Sequence, residues 1–438
     1  MRKNLKIVMN NTEQIIEKKV FETPFIDTHE HLVDESERLK CIDPIIPCDD
    51  WTILLNHYFN FDLISAGISN SERNSLFSKE VDPIDKWNIL QGYWPYLKNT
   101  ASGLVFRNTI RVLYGIDEIS AETVKEIQVR YEQTRKTGFY RHIIQDLANI
   151  RHCHVHSPIR ACKESEAPDL LYHDIALNGL IQVSRNPYSV PENFTIKTLS
   201  DWHALIDWWF SEYNHVAKGV KIGNAYFRRL DFKRSEAGEV ENIFLNKINS
   251  QTICPEDGKK LQDHLFWYAV DKATGYGLPV KLHTGQWAMN NVMNMEWVKD
   301  NPADCASLCR QAPNTKFVFY HIGYPYYEEM LSLAKNYANA YLDMCWSWSI
   351  NPLAAKDFLK KSILTVPNNK VLAFGGDDKI VENLIGHSMI ARKGISQALS
   401  ELVNEKWITI HDALEVIEYL MFRNAENLFD KTLYSRFH

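Results

Sequence analysis

The run Phe25-Ile-Asp-Thr-His-Glu-His-Leu32 places two imidazoles at alternate positions. If the run is a strand, Asp27, His29 and His31 share one face while Thr28 and Glu30 take the other. Two imidazoles about 7 Å apart on one face can close on a single metal ion. One such pair carries little weight alone. Three later runs change that: LPVKLHTG carries His283 near its end, KFVFYHIG carries His321, and VLAFGGD ends in Asp377. Each sets a metal-competent group at the tail of an apolar stretch. If all these tails meet at one mouth, the chemistry is that of a divalent cation and the water it activates.

The elements that must position these groups are short β-branched or aromatic runs, each followed by a helical pattern. Eight stand in order: Phe25 to His29, His152 to His156, Leu170 to Ile181, Lys218 to Gly223, Leu278 to His283, Lys316 to His321, Ala340 to Cys345 and Val371 to Asp377. Strands alternating with helices specify a parallel α/β sheet, and eight of them a closed (β/α)8 TIM barrel, whose functional groups gather at the C-terminal strand ends. The first two strands are separated by about 120 residues, far more than a loop. That stretch reads helical and aromatic (WTILLNHYFNF, KWNILQGYWPYL). The expected organisation is one domain over residues 1–438, with a helical insertion at 50–150 over the barrel mouth.

The order HxH on strand one, His on strands five and six and Asp on strand eight resembles the amidohydrolase superfamily. LPVKLHTG, KFVFYHIGYPYYEEMLSLAKNYANAYLDM, KVLAFGGDD and MFRNAENLFD are similar to its amidohydrolase-2 branch. They resemble the amidohydrolase-like domain fused to glutamine synthetase in some plants and fungi, and lone bacterial members. The resemblance covers strand one and then roughly Lys218 to Asp430. It implies His29, His31, His283 and Asp377 as metal ligands, Asp377 over its neighbour Asp378. It implies His321 as a proton carrier or substrate polariser with one metal bound. In two-metal members that histidine is itself a ligand and a carboxylated lysine on strand four bridges the ions, which here is the place of Lys221 in KGVKIGNAY; left uncarboxylated, Lys221 would instead bind an acidic substrate. The metal expected is zinc, with manganese the other choice.

Such a site implies a hydrolase acting on a small carbonyl-containing substrate. Asp377 takes the proton of the attacking water and His321 steadies the developing oxyanion or moves a proton. Uronate isomerase and aminocarboxymuconate-semialdehyde decarboxylase share the pattern, so isomerisation and decarboxylation are the alternatives, followed by a non-catalytic barrel. Trp287 and Tyr226 are the expected substrate contacts, and Arg228 or Arg229 the partner for a substrate carboxylate. His173, Arg185, Asp343 and Trp346 also fall near strand ends. The run His152, His154, His156 shares one face, but the resemblance gives strand two no ligand, so packing or hydrogen bonding is expected of it.

The bulk numbers are those of an ordinary globular chain: 438 residues, 45% hydrophobic, formal net charge -6. No basic stripe that would neutralise phosphates appears, which argues against nucleic acid as a partner. No run approaches the ~20 apolar residues of a membrane span. The opening MRKNLKIVMNN has no apolar stretch of a secretory leader, and the eight cysteines include no CxxC pair. Cys305 and Cys309 read as buried thiols, the expected compartment is the cytoplasm, and homo-oligomerisation is left open.

Overall fold

The computed structural model describes residues 11–41, 46–156, 162–184 and 189–430. Among these, eight parallel strands form a (β/α)8 barrel: β1 (Phe25–Glu30), β2 (Ile150–Val155), β3 (Leu171–His173, resumed at Ile175–Ala176), β4 (Val220–Ile222), β5 (Val280–His283), β6 (Phe317–Tyr320), β7 (Ala340–Asp343) and β8 (Val371–Leu372). Asp174 interrupts β3. Its amide donates to Val155 O at 2.9 Å, and that of Ile175 to Gly219 O at 3.0 Å, so the strand bonds β2 with one half and β4 with the other. The barrel closes between the first and last strands. Thr28 N donates to Phe374 O (3.1 Å), Asp377 N to His29 O (3.0 Å) and His31 N to Asp378 O (2.9 Å).

Two sequence expectations are corrected. The third run stops being a strand at Ala176, and Asn178–Ile181 is a helical turn. Strict alternation also fails in β1, whose pairing with β2 shifts register twice. Asp27 is therefore held by the amides of His29 (3.0 Å) and Gly376 (3.4 Å) and lies beside Glu30, not beside the two histidine rings.

Register stacks the barrel interior in layers. Lys281 lies opposite Lys221 and Val318, and His283 opposite Tyr320. The floor is sealed by the helix Asn424–Phe429, whose Phe429 ring lies 4.7 Å from that of His154 and under the Lys281 ammonium at 4.6 Å. Above it Lys281 Nζ donates to Asp174 (2.7 Å), His154 Nδ1 (3.0 Å) and Thr28 O (3.2 Å). Next comes Tyr320, whose hydroxyl also donates to Thr28 O and whose ring carries the Lys221 ammonium at 4.1 Å. His29 packs on the same ring.

Between β1 and β2 the chain is helical, from Trp51–Leu55 through Ala101–Tyr114 to Val124–Thr134, around its own core of Trp51, Phe59, Trp94, Phe106 and Tyr131. Buried Asp50 starts it, accepting from Thr52 N (2.9 Å) and Lys86 Nζ (2.5 Å). Asn383 Nδ2 bonds Leu54 O and Asn290 Nδ2 bonds Phe61 O, tying the segment to the loops after β8 and β5. No helix among the described residues is long and apolar enough to cross a membrane.

Lys281 and Asp174 are both fully buried, so removing one partner strands the other charge. Lys281→Met is expected to destabilise the protein by about 3–5 kcal/mol in urea unfolding, and adding Asp174→Leu to restore most of it. A single-variant loss under about 1 kcal/mol would contradict this role of the pair.

Candidate metal centre

The strand ends bring four of the expected groups together and add others. His29 Nε2 and His31 Nε2 each lie 3.1 Å from the same Asp377 oxygen, Oδ1. His321 Nε2 lies 3.8 Å from Oδ2, and His283 Nδ1 lies 3.0 Å from that same His321 nitrogen. His283 thus meets the centre through His321 and not within the tight His29–His31–Asp377 group. The neighbouring carboxylate, Asp378, is turned elsewhere, accepting from Asn383 (3.1 Å) and the amides of Lys379 and Ile380, with His387 at 3.1 Å and His57 at 3.6 Å.

Backbone strain aims these groups. Asp377 (φ 58°), His321 (φ 63°), Ile322 (φ 52°) and Trp346 (φ 59°) are all left-handed without being glycine, at roughly 1–2 kcal/mol each. Glu30 supplies part of what holds Asp377 there. Its two oxygens accept the amides on either side, Gly376 N at 2.9 Å and Asp378 N at 2.6 Å. A Cβ on Gly376 would sit 2.2 Å from Glu30 Oε1, so only glycine admits the clamp. Burial, then the nearby Asp27, drives the Glu30 carboxyl well above its usual range, and burial lifts Asp27 to about 6; the two lie together as a proton-sharing pair.

The donor set fits a cation, and the tautomers say why. His31 Nδ1–H donates to His156 O (2.8 Å), which leaves Nε2 bare against the carboxylate. His321 Nδ1–H donates to Cys345 O (2.8 Å) and His283 Nε2–H to Gln286 O (2.9 Å). Carbonyls only accept, so His321 Nε2 and His283 Nδ1 face each other as two lone pairs at 3.0 Å. Burial, then Lys221, holds His29 well below the ordinary histidine value; burial, then His321, does the same for His283, and burial pushes His321 down to about 4. Burial alone would raise Asp377, but His29, His31 and His321 outweigh it and hold the carboxyl well below its normal range. Neutral rings with bare nitrogens around an ionised carboxylate are the state a divalent ion requires.

The remaining candidates divide. Lys221 points inward, its ammonium over the Tyr320 ring, and burial lowers it to about 8. Tyr226 packs on His283 at 4.4 Å between ring centres and Trp287 on Tyr226 at 5.8 Å. Arg228 is a correction. Its guanidinium is spent on Asp263 (2.5 Å), Asp231 and the Phe232 ring, so it offers no free fork to a substrate; Arg229 is likewise paired with Asp300 and Asp304. Arg185 lies outside the described residues. On strand two His154 serves Lys281, whereas His156 reaches the centre, its ring 5.8 Å from His29 and 5.7 Å from His31.

Sequence reasoning missed Tyr58 and His57. Tyr58, at the start of the helix Tyr58–Ser65, donates its hydroxyl to Asp377 Oδ2 at 2.5 Å and stacks on Trp346 at 4.3 Å. His57 reaches Asp378. A His-Tyr pair meeting an Asp-Asp pair over 300 residues away leaves no local signal; only their aromatic setting in the insertion hinted at it.

Comparison with known proteins gives three findings. Residues 248–407 match the family model described as Amidohydrolase. Protein fluG of Emericella nidulans is 29% identical over 226 residues, 48% of this chain and 25% of that protein, so the match spans about a quarter of the relative's length. Among solved structures, a uronate isomerase from Thermotoga maritima superposes with TM-score 0.78 at 12% identity, covering 96% of this chain and 98% of that one. A metal-dependent hydrolase from Lactobacillus casei does so with TM-score 0.60 at 14% identity, over 97% and 99%. These structures share the fold. The amidohydrolase-2 resemblance read from the sequence stands.

Replacing His29 and His31 together with alanine is expected to abolish divalent-metal content, measured by elemental analysis, while the far-ultraviolet dichroism stays native. Glu30→Gln, which keeps one acceptor of two, is expected to weaken metal binding about 10–100-fold in chelator competition. Unchanged affinity in Glu30→Gln would remove the clamp from the account of how Asp377 is held.

Proposed function

We propose that this chain, whose residues 248–407 match the family model described as Amidohydrolase, is a metal-dependent enzyme that hydrolyses a small carbonyl-containing substrate with a divalent metal, zinc by preference, held by His29, His31 and Asp377 with His283 completing the set. The observation that carries this is the set of His29, His31 and His321 imidazole nitrogens turned on one buried carboxylate, with the other ring nitrogens of His31 and His321 committed to carbonyls. When bound, such a metal polarises a carbonyl and brings the acidity of water close to neutral pH.

The chain's own groups supply the rest. Asp377 accepts the proton of the attacking water and passes it to the leaving atom. Tyr58 holds Asp377 Oδ2 by its hydroxyl, which keeps Oδ1 facing the two histidines and places a second proton donor beside the carboxylate. His321, with Nε2 bare and its other nitrogen fixed on Cys345 O, moves a proton or steadies an oxyanion. Lys221 adds a buried positive charge that suits an anionic substrate. Tyr226, Trp287 and Trp346 form an aromatic wall that excludes water and faces the substrate's apolar part.

A second reading, isomerisation of a sugar acid, is favoured by Tyr58. A phenol bonded to a carboxylate is a proton-passing pair, and proton transfer between neighbouring carbons needs one. The likeness to a uronate isomerase agrees with it in fold.

The test is a panel of lactones, amides and uronates given to the metal-loaded protein. Hydrolysis adds the mass of water and releases acid; isomerisation leaves the mass unchanged and converts aldose to ketose. Conversion of uronates without hydrolysis of any member overturns the first reading in favour of the second. Tyr58→Phe is expected to keep the metal and lose turnover by about a hundredfold or more.

A further inference from the structure

Resting on the metal reading above, we infer that the centre has a second cation position built from His321, Cys345 and Asp377, in which the Cys345 thiolate is a ligand. The donor atoms of these three residues lie within 4.8 Å of one another and all three side chains are buried. The first position, His29–His31–Asp377, shares only Asp377 with them, and a carboxylate with two oxygens can serve two ions at once: Oδ1 faces His29 and His31, Oδ2 faces His321.

Three further observations point to this place. His321 Nε2 and His283 Nδ1 meet as bare lone pairs at 3.0 Å, a contact that a nearby positive charge resolves. Cys345 is fully buried, and its sulfur has no short hydrogen bond; its nearest acceptor is His29 O at 3.9 Å. The backbone makes room for it, because a Cβ on Gly375 would sit 2.9 Å from the Cys345 sulfur. Meanwhile Lys221, where a carboxylated bridge would have to form, carries its ammonium on the Tyr320 face. The second ion is thus held by a thiol from β7's end in place of a modified lysine from β4.

On ligation the Cys345 S–H loses its proton to solvent and the sulfur gives an electron pair to the metal; nothing is oxidised or reduced. A soft sulfur ligand selects zinc, cobalt or cadmium over manganese or magnesium. With this position filled His321 is a ligand, and proton transfer falls to Tyr58 and Asp377.

The experiment uses the full-length protein, stripped with chelator and titrated with Co2+. A thiolate on cobalt gives an intense near-ultraviolet charge-transfer band that nitrogen and oxygen ligands do not. Wild type is expected to bind two equivalents, the second with this band. Cys345→Ser and Cys345→Ala are expected to bind one equivalent without it, and His321→Asn to lose the second equivalent likewise. One equivalent in wild type with no such band overturns the second position and leaves the first standing. Two equivalents without the band overturn the role of Cys345, as does a band that persists in Cys345→Ser. No cobalt bound at all overturns the metal reading itself and this inference with it. Because wild type alone decides whether a thiolate ligand exists, a variant that fails to fold does not remove the test.

Discussion

One carboxylate, buried and ionised, organises this molecule. Asp377 is buried among imidazole nitrogens, His29 and His31 at 3.1 Å from one of its oxygens, and burial disfavours a charge on those rings, so a cation among them is what reconciles the group. The arrangement is self-consistent for a cation and awkward for anything else. Around it the chain accepts several left-handed residues and a proton-sharing carboxyl pair, costs that a purely structural strand end would not carry.

The barrel supplies rigidity in layers beneath that point. Lys281 anchors Asp174, His154 and the Thr28 carbonyl, and the same carbonyl takes the Tyr320 hydroxyl, on whose ring both Lys221 and His29 rest. A charge network in the middle of a barrel is a costly way to fill space compared with aliphatic layers. Its effect is to fix the height and tilt of β1, so that His29 and His31 meet Asp377 at equal distances. Above, the insertion completes the other side through Tyr58 and His57, consecutive residues that reach Asp377 and Asp378, also consecutive.

What could be read from the sequence follows from where the information lies. Strand order, the histidines at strand ends and the choice of Asp377 rest on local pattern; the fold follows that pattern, and the structure brings His29, His31 and Asp377 within reach of one another. Asp27 was assigned to the wrong neighbours because two register shifts break the alternation that the inference used. Arg228 looks like a free cation near a strand end, but Asp263, on the helix Pro255–Gly275, already holds it. Tyr58, His57 and the ring of His156 join the centre through tertiary packing, which no spacing rule encodes. The tautomers, which carry the case for a cation, depend on carbonyls contributed by residues as distant as His156 from His31 and Cys345 from His321.

The helix Asn424–Phe429 lies under the barrel, against the charged interior layer of Lys281 and His154. In order of synthesis it follows every strand it seals beneath. While a ribosome still holds that stretch, Lys281, Asp174 and His154 face an open floor through which water reaches them, and the desolvation that makes the layer rigid has not occurred. The strands can pair without it, but the layer is covered on that side only once Phe429 is in place. The dryness of the barrel's charged layer thus depends on a ring contributed by the last described helix.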